Sequence, residues 1–177
     1  MPFELRPDTP PAGVSAKAEG LTHSERVERR LIELAEEVGR QMALPDLVPN
    51  SHLAMAMAEL ARDAGEELHW RVHIAIFDAY YAQGRDIGDR EVLLDVGRVH
   101  GLDPVEIERA WDEGRYDDRL HEYDHLALHL GIDTTPAALI CNELLIGSRP
   151  YGVLRDAVMR CLITPQTLEG EEPDTRA

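Results

Sequence analysis

Through the middle of the chain, apolar residues recur at helical spacing. Thr22-His23-Ser24-Glu25 reads as a capping box. Val27, Leu31, Leu34, Ala35 and Val38 then fall on one face and predict a helix to about Met42. Pro45 and Pro49 break the chain, and Asn50 or Ser51 can cap a helix over Leu53–Ala64 that stops at Gly65. Val72, Ala75, Ile76, Ala79 and Tyr80 form the stripe of a third helix, Leu68–Gln83. Asp89 caps a short helix to His100, and Gly101 ends it. Asp103-Pro104, an N-cap followed by proline at the first helical position, opens another that carries Val105, Ile107 and Trp111. A last one runs from about Asp117 to Leu130 with Leu120, Tyr123, Ala127 and Leu130 as its core stripe. Trp70 and Trp111 are expected to anchor the bundle core.

The period changes at the two ends of the chain. Phe3 and Leu5 alternate with Glu4 and Arg6, a short strand pattern, and Pro7, Pro10, Pro11 and Gly13 enforce an extended loop after it. At the other end, helical spacing stops at Gly131. Thr134-Thr135-Pro136 leads into an apolar run, Ala137 to Cys141. A polar break at Asn142-Glu143 separates it from a second run, Leu144 to Ile146. Gly147 follows, and a final helix pattern begins near Pro150. The order is helix, proline turn, strand, hairpin, strand, helix. Proline is tolerated where a strand begins, and a cis Thr135–Pro136 bond is expected at this turn.

A chain of 177 residues suits one domain, or a small domain with an insertion, and can bury a real core. Its apolar runs are shorter than a membrane span requires, and its N-terminus shows no signal-peptide pattern. The expectation is a soluble, cytoplasmic protein with no membrane partner. A formal net charge of −16 repels phosphate backbones, so no nucleic acid partner is expected. The two cysteines, Cys141 and Cys161, sit in apolar patterns. Each reads as an inert buried thiol; a disulfide between them is allowed but not implied. His121, His125 and His129 recur every four residues, with Glu122 and Asp118 nearby. Ligands strung over two helical turns rarely converge on one ion, so no metal site is expected. His69 and His73 form a second pair at four-residue spacing, read as solvated or at the core edge. No Gly-rich phosphate loop, nucleophile elbow or paired catalytic carboxylate motif occurs, and no cofactor is expected.

Several segments, in order, resemble the DsbA-like thioredoxin superfamily and within it the FrnE-type branch with an inserted helical domain. They are Pro2-Phe3-Glu4-Leu5-Arg6-Pro7, Asn50-Ser51-His52-Leu53-Ala54 and the aromatic-rich stretch Phe77–Asp89. Glu91-Val92-Leu93-Leu94 and Gly101-Leu102-Asp103 follow. Gly131-Ile132-Asp133-Thr134-Thr135-Pro136 is similar to the family's Gly-Val-x-Gly-Val-Pro turn, with Thr134 in place of its second glycine. Gly147-Ser148-Arg149-Pro150 is similar to Gly-Ala-Gln-Pro before the last helix. The resemblance implies an α/β fold: an incomplete thioredoxin-like fold with a large inserted α-helical domain. It implies an N-terminal strand and loop over 1–21, the helical insertion over 22–130 and a strand-strand-helix over 131–163; the acidic, Pro/Gly-containing composition of 164–177 separately predicts a flexible tail. The resemblance places Pro136 on the family's cis-proline, with Thr135 and Pro136 as substrate-binding residues.

The family's chemistry is thiol-disulfide oxidoreduction on protein or peptide thiols, carried by a Cys-x-x-Cys at a helix N-terminus, where the first thiolate is stabilised. No Cys-x-x-Cys occurs in these 177 residues, which begin at what resembles the family's second strand. No catalytic residue is therefore assigned. Three functions stay open: a redox enzyme whose dithiol segment lies outside this sequence, a non-redox relative that binds peptides or small molecules, or an isomerase of the kappa glutathione-transferase type. A first strand missing from the sheet leaves edges unpaired. That predicts a homodimer closing the gap, poor solubility, or a shift of Phe3–Leu5 into the vacant place.

Overall fold

The computed structural model describes residues 1–163; the tail expected at 164–177 lies outside the described residues. The chain packs as two compact units, Met1–Leu126 and a second beginning at Ala127. The division falls within the sixth helix.

In the first unit, β1 (Val14–Ser15) pairs antiparallel with β2 (Leu47–Val48), and α1 (Glu25–Glu37) lies between them in sequence. Then follow α2 (His52–Ala64), α3 (Glu66–Phe77), a π-helical turn (Asp78–Ala82), α4 (Arg90–His100), α5 (Pro104–Asp112) and α6 (Asp117–His129). The caps expected at α4 and α5 are in place, whereas the capping box expected at Thr22–Glu25 is not formed: Ser24 is the N-cap of α1 but its side chain makes no cap hydrogen bond. Asp89 accepts from the Glu91 N–H and Asp103 from the Val105 N–H, with Pro104 opening α5. Met57, Val72, Leu93, Ile107 and Leu120 fill the core where α2 to α6 meet. Gly97 sits mid-helix, where glycine costs about 1 kcal/mol against alanine. Close packing explains it: a Cβ there would collide with Ile107 Cδ1 and press on Met57 Sδ.

Four further expectations are corrected in this unit. Phe3–Leu5 is not a strand. Side chains hold it instead of a ladder: the Glu4 N–H donates to Asp124 at 2.8 Å and the Glu4 carboxylate meets His52. α1 ends at Glu37 rather than near Met42. Gly39 takes a left-handed φ of 70°, and the Arg40 N–H turns back to the Ala35 carbonyl. Trp70 is not a core anchor, being 56% exposed, because the buried stripe of α3 is Val72 and Ile76 and Trp70 lies off that face. Trp111 is buried, and its indole N–H donates to the Leu53 carbonyl at 3.0 Å. The third helical pattern is also not one regular helix. It loosens into the π-helical turn, where the Tyr80 hydroxyl donates to the Leu47 carbonyl at 2.7 Å.

The second unit holds β3 (Ala137–Ile140), β4 (Glu143–Ile146) and α7 (Tyr151–Ile163). β3 and β4 form an antiparallel hairpin in the register Ala137↔Ile146 to Ile140↔Glu143. Its two-residue loop is Cys141-Asn142, with Cys141 at φ 53°. A positive φ at that position is what short hairpin loops demand, usually met by glycine or asparagine. Among the described residues, this sheet has two strands and each has one unpaired edge. No helix among them is long and apolar enough to cross a membrane.

Candidate functional site

The chemistry of the second unit starts at its entry turn. The Ile132 N–H donates to the Ala127 carbonyl, and Gly131 sits at φ 68°, so α6 closes with the left-handed residue that helix ends favour. The chain then turns through Thr134 and Thr135 into a cis Thr135–Pro136 peptide. Both Thr135 and Pro136 are exposed. The Gly147 N–H donates to the Pro136 carbonyl at 2.8 Å, which anchors the turn to the end of β4.

Register decides which backbone groups of β3 stay available. In an antiparallel pair, facing residues alternate between those that exchange hydrogen bonds and those that do not. The Pro136–Gly147 bond and the loop-closing Ile140–Glu143 pair set the phase. Pro136, Ala138 and Ile140 therefore face β4, while Thr135, Ala137 and Leu139 turn their N–H and C=O groups to the opposite edge. Leu139 is 46% exposed, and no described residue hydrogen-bonds the Thr135 backbone. An extended chain could add here as a further strand, with the turn at its start.

Behind the hairpin, Cys141 and Cys161 form a disulfide with their Cα atoms 5.9 Å apart. This corrects the expectation of two inert thiols. The hairpin loop and the last turn of α7 bring together residues 20 positions apart, at ordinary disulfide spacing. The pair is the only one the chain's two cysteines allow, so composition carried the signal.

The polar centres of the first unit are structural. His52, at the start of α2, lies between two carboxylates: Nδ1 is 2.9 Å from Glu4 Oε1 and Nε2 is 3.1 Å from Asp117 Oδ1. The hydrogen bond to Glu4, aided by Asp117 and opposed by burial, raises its pKa from 6.5 to about 9. The folded value is above the unfolded one. The stabilisation is therefore complete below about pH 6.5 and is lost as pH rises through about 9. Unfolding midpoints between pH 6 and pH 10 should show this loss, and His52→Gln should flatten it. An unchanged slope in the variant would assign the pH dependence elsewhere. Glu59 of α2 is fully buried, and its carboxylate accepts from Arg62 at 3.0 Å and Arg119 at 3.2 Å.

His121, His125 and His129 are all exposed along α6, and no group of three His, Cys, Asp or Glu side chains among the described residues could hold a metal ion. His69 and His73 are half-buried, their rings tilted with centroids 5.5 Å apart, in an aromatic row that continues through Phe77 to Tyr81. Beside this row, α3 and α4 flank a groove of about 580 Å³ lined by Trp70, Ile74, Val96 and Val99. The charges at its rim are paired, Asp78 with Arg40 and Asp95 with Arg85.

Comparison with known proteins defines the class. The DSBA-like thioredoxin domain family matches residues 1–159, and the chain belongs to that family. A crystal structure of a probable DsbA oxidoreductase from Streptomyces coelicolor superposes with a TM-score of 0.81 at 20% identity, over 99% of this chain and 78% of that one. The uncharacterized protein YwbO of Bacillus subtilis is 24% identical over 163 residues, covering 89% of this chain and 78% of its own length. The fold is thus the DsbA-like thioredoxin fold, with most of the described residues in helices.

Proposed function

We propose that this chain is a FrnE-type member of the DsbA-like family that holds an extended, thiol-bearing polypeptide along the outer edge of β3, and that these 177 residues do not themselves turn over disulfides. One observation carries the reading: the edge formed by Thr135, Ala137 and Leu139 is open and starts at an exposed turn. Thr135 and Pro136 form the lip at the start of this edge. Membership in the family makes polypeptide thiols the natural ligand class, as does the likeness to a probable DsbA oxidoreductase. Residues 22–130 are read as the inserted helical domain and 131–163 as the C-terminal part of the thioredoxin-like half. A cytoplasmic location belongs to the same reading.

Redox inactivity follows from chemistry. Catalytic disulfide turnover needs a thiolate stabilised as at a helix N-terminus. The family's Cys-x-x-Cys is not among these residues, and Cys141 and Cys161 lie in a hairpin loop and in the last turn of α7. Insulin reduction with a dithiol donor should run no faster with this chain than with donor alone. Acceleration that disappears in Cys141→Ser or Cys161→Ser would refute the inactivity.

A second reading also draws on the open edge. With Leu139, Tyr151, Leu162 and Ile163 exposed, a second copy of the chain could cover the hairpin and make a homodimer. Light scattering separates the two: a monomer that binds peptide favours the first, a dimer that excludes peptide the second.

A further inference from the structure

We propose that the Cys141–Cys161 disulfide is a reversible staple that sets the order of the hairpin and α7. Its bearing on ligands rests on the reading of the β3 edge given above. Three observations lead to the staple.

The core of the second unit is thin. From Ala127 to Ile163 the buried side chains are Ala127, Ile132 and Ala157, two alanines and one isoleucine. A unit that buries so little depends on cross-links for its order. The bond is also placed where it matters. It joins the turn of the hairpin to the last turn of α7. Among the described residues, the Arg160–Glu143 pair at 2.7 Å also ties these elements, but its partners are 57% and 44% exposed, and exposed pairs hold weakly. Finally, Cys141 and Cys161 are half-buried rather than sealed in the core, so a small thiol can reach them.

The chemistry balances with a dithiol as reductant. Its thiolate attacks one sulfur of the pair, forms a mixed disulfide and releases the other cysteine, which takes up a proton. The second thiol of the reductant then displaces the first cysteine. The Cys141–Cys161 bond is reduced to two thiols, and the dithiol is oxidised to its own disulfide. In the reducing cytoplasm of the reading given above, the staple rests open. It closes by the reverse exchange with a disulfide under oxidation, and the β3 edge then becomes ordered for peptide. Opening frees the hairpin from α7, disorders the β3 edge and lowers peptide affinity.

Hydrogen exchange on the full chain, with and without dithiothreitol, tests this. Closing a loop of this length constrains the unfolded unit, so reduction should lower protection of the β3 and β4 amides on the order of a hundredfold. The α2 amides of the first unit should be unchanged and serve as an internal reference. The double variant Cys141→Ser/Cys161→Ser should exchange like the reduced protein and ignore the reductant. Equal protection of the hairpin in both redox states overturns the staple, and the wild-type comparison decides this even where the variant folds poorly. Binding of an extended cysteine-containing peptide is measured in parallel. A hairpin that loosens on reduction while no peptide binds in either state leaves the staple standing and removes the edge reading.

Discussion

Arg119→Ala is expected to lower the unfolding free energy by about 3 kcal/mol, the scale of breaking a buried ion pair from one side. The reason is Glu59. Its side chain has no exposed surface, and a buried carboxylate is costly unless paired and hydrogen-bonded. Arg62 serves one oxygen from α2 itself; Arg119 reaches the other from α6 and binds Asp63 at 2.8 Å as well. The Tyr123 hydroxyl, 3.4 Å from the same Glu59 oxygen, is a weak substitute. Urea denaturation should show the loss at constant slope. Pairing the change with Glu59→Leu should recover most of it, since the orphaned charge is then gone. A loss of under 1 kcal/mol in the single variant would mean that Arg62 alone satisfies Glu59.

Leu139→Pro is expected to weaken peptide binding by about tenfold, the worth of one backbone hydrogen bond, while leaving the fold intact. The Leu139 N–H points away from β4 by register, so proline there removes a donor the hairpin does not use. Ala138→Pro is the contrasting change. Its N–H faces β4, and it should damage the hairpin itself. Fluorescence anisotropy with a labelled extended peptide reads the first effect, and hydrogen exchange reads the second. Equal affinity for wild type and Leu139→Pro would place the peptide somewhere other than this edge.

Much of the fold was legible because local chemistry and burial agreed. Asp89, Asp103-Pro104 and Gly101 mark helix ends through their own backbone preferences, and the structure places the ends there. The Gly131–Pro150 pattern reads as turn, hairpin and helix, but the loop falls on Cys141-Asn142, one residue before the expected Asn142-Glu143 break. Cys141 leaves the strand and Glu143 joins β4, because backbone pairing and not side-chain polarity sets the loop. The errors arose where long-range partners decide. Phe3–Leu5 alternates like a strand, but strand formation needs a neighbour, and Glu4 found Asp124 and His52 instead. Trp70 shares a helix with core residues, yet its exposure depends on which helices pack against α3. His52 gave no signal, because its two carboxylates come from positions 4 and 117. An unpaired edge in this sheet was expected from the family resemblance; which N–H groups it presents was hidden, because that depends on register, which the pattern of side chains does not state.

Docking of an extended polypeptide on the outer edge of β3 would leave a distinctive mark on the backbone amides. Its most direct test is an NMR titration of the backbone amides with an extended cysteine-containing peptide. The account predicts shifts concentrated at Thr135, Ala137 and Leu139, with Ala138 and Ile140 far less affected, an alternation only strand addition produces. Shifts confined to Trp70, Ile74 and Val99 of the α3–α4 groove, or no shifts at all, would contradict it.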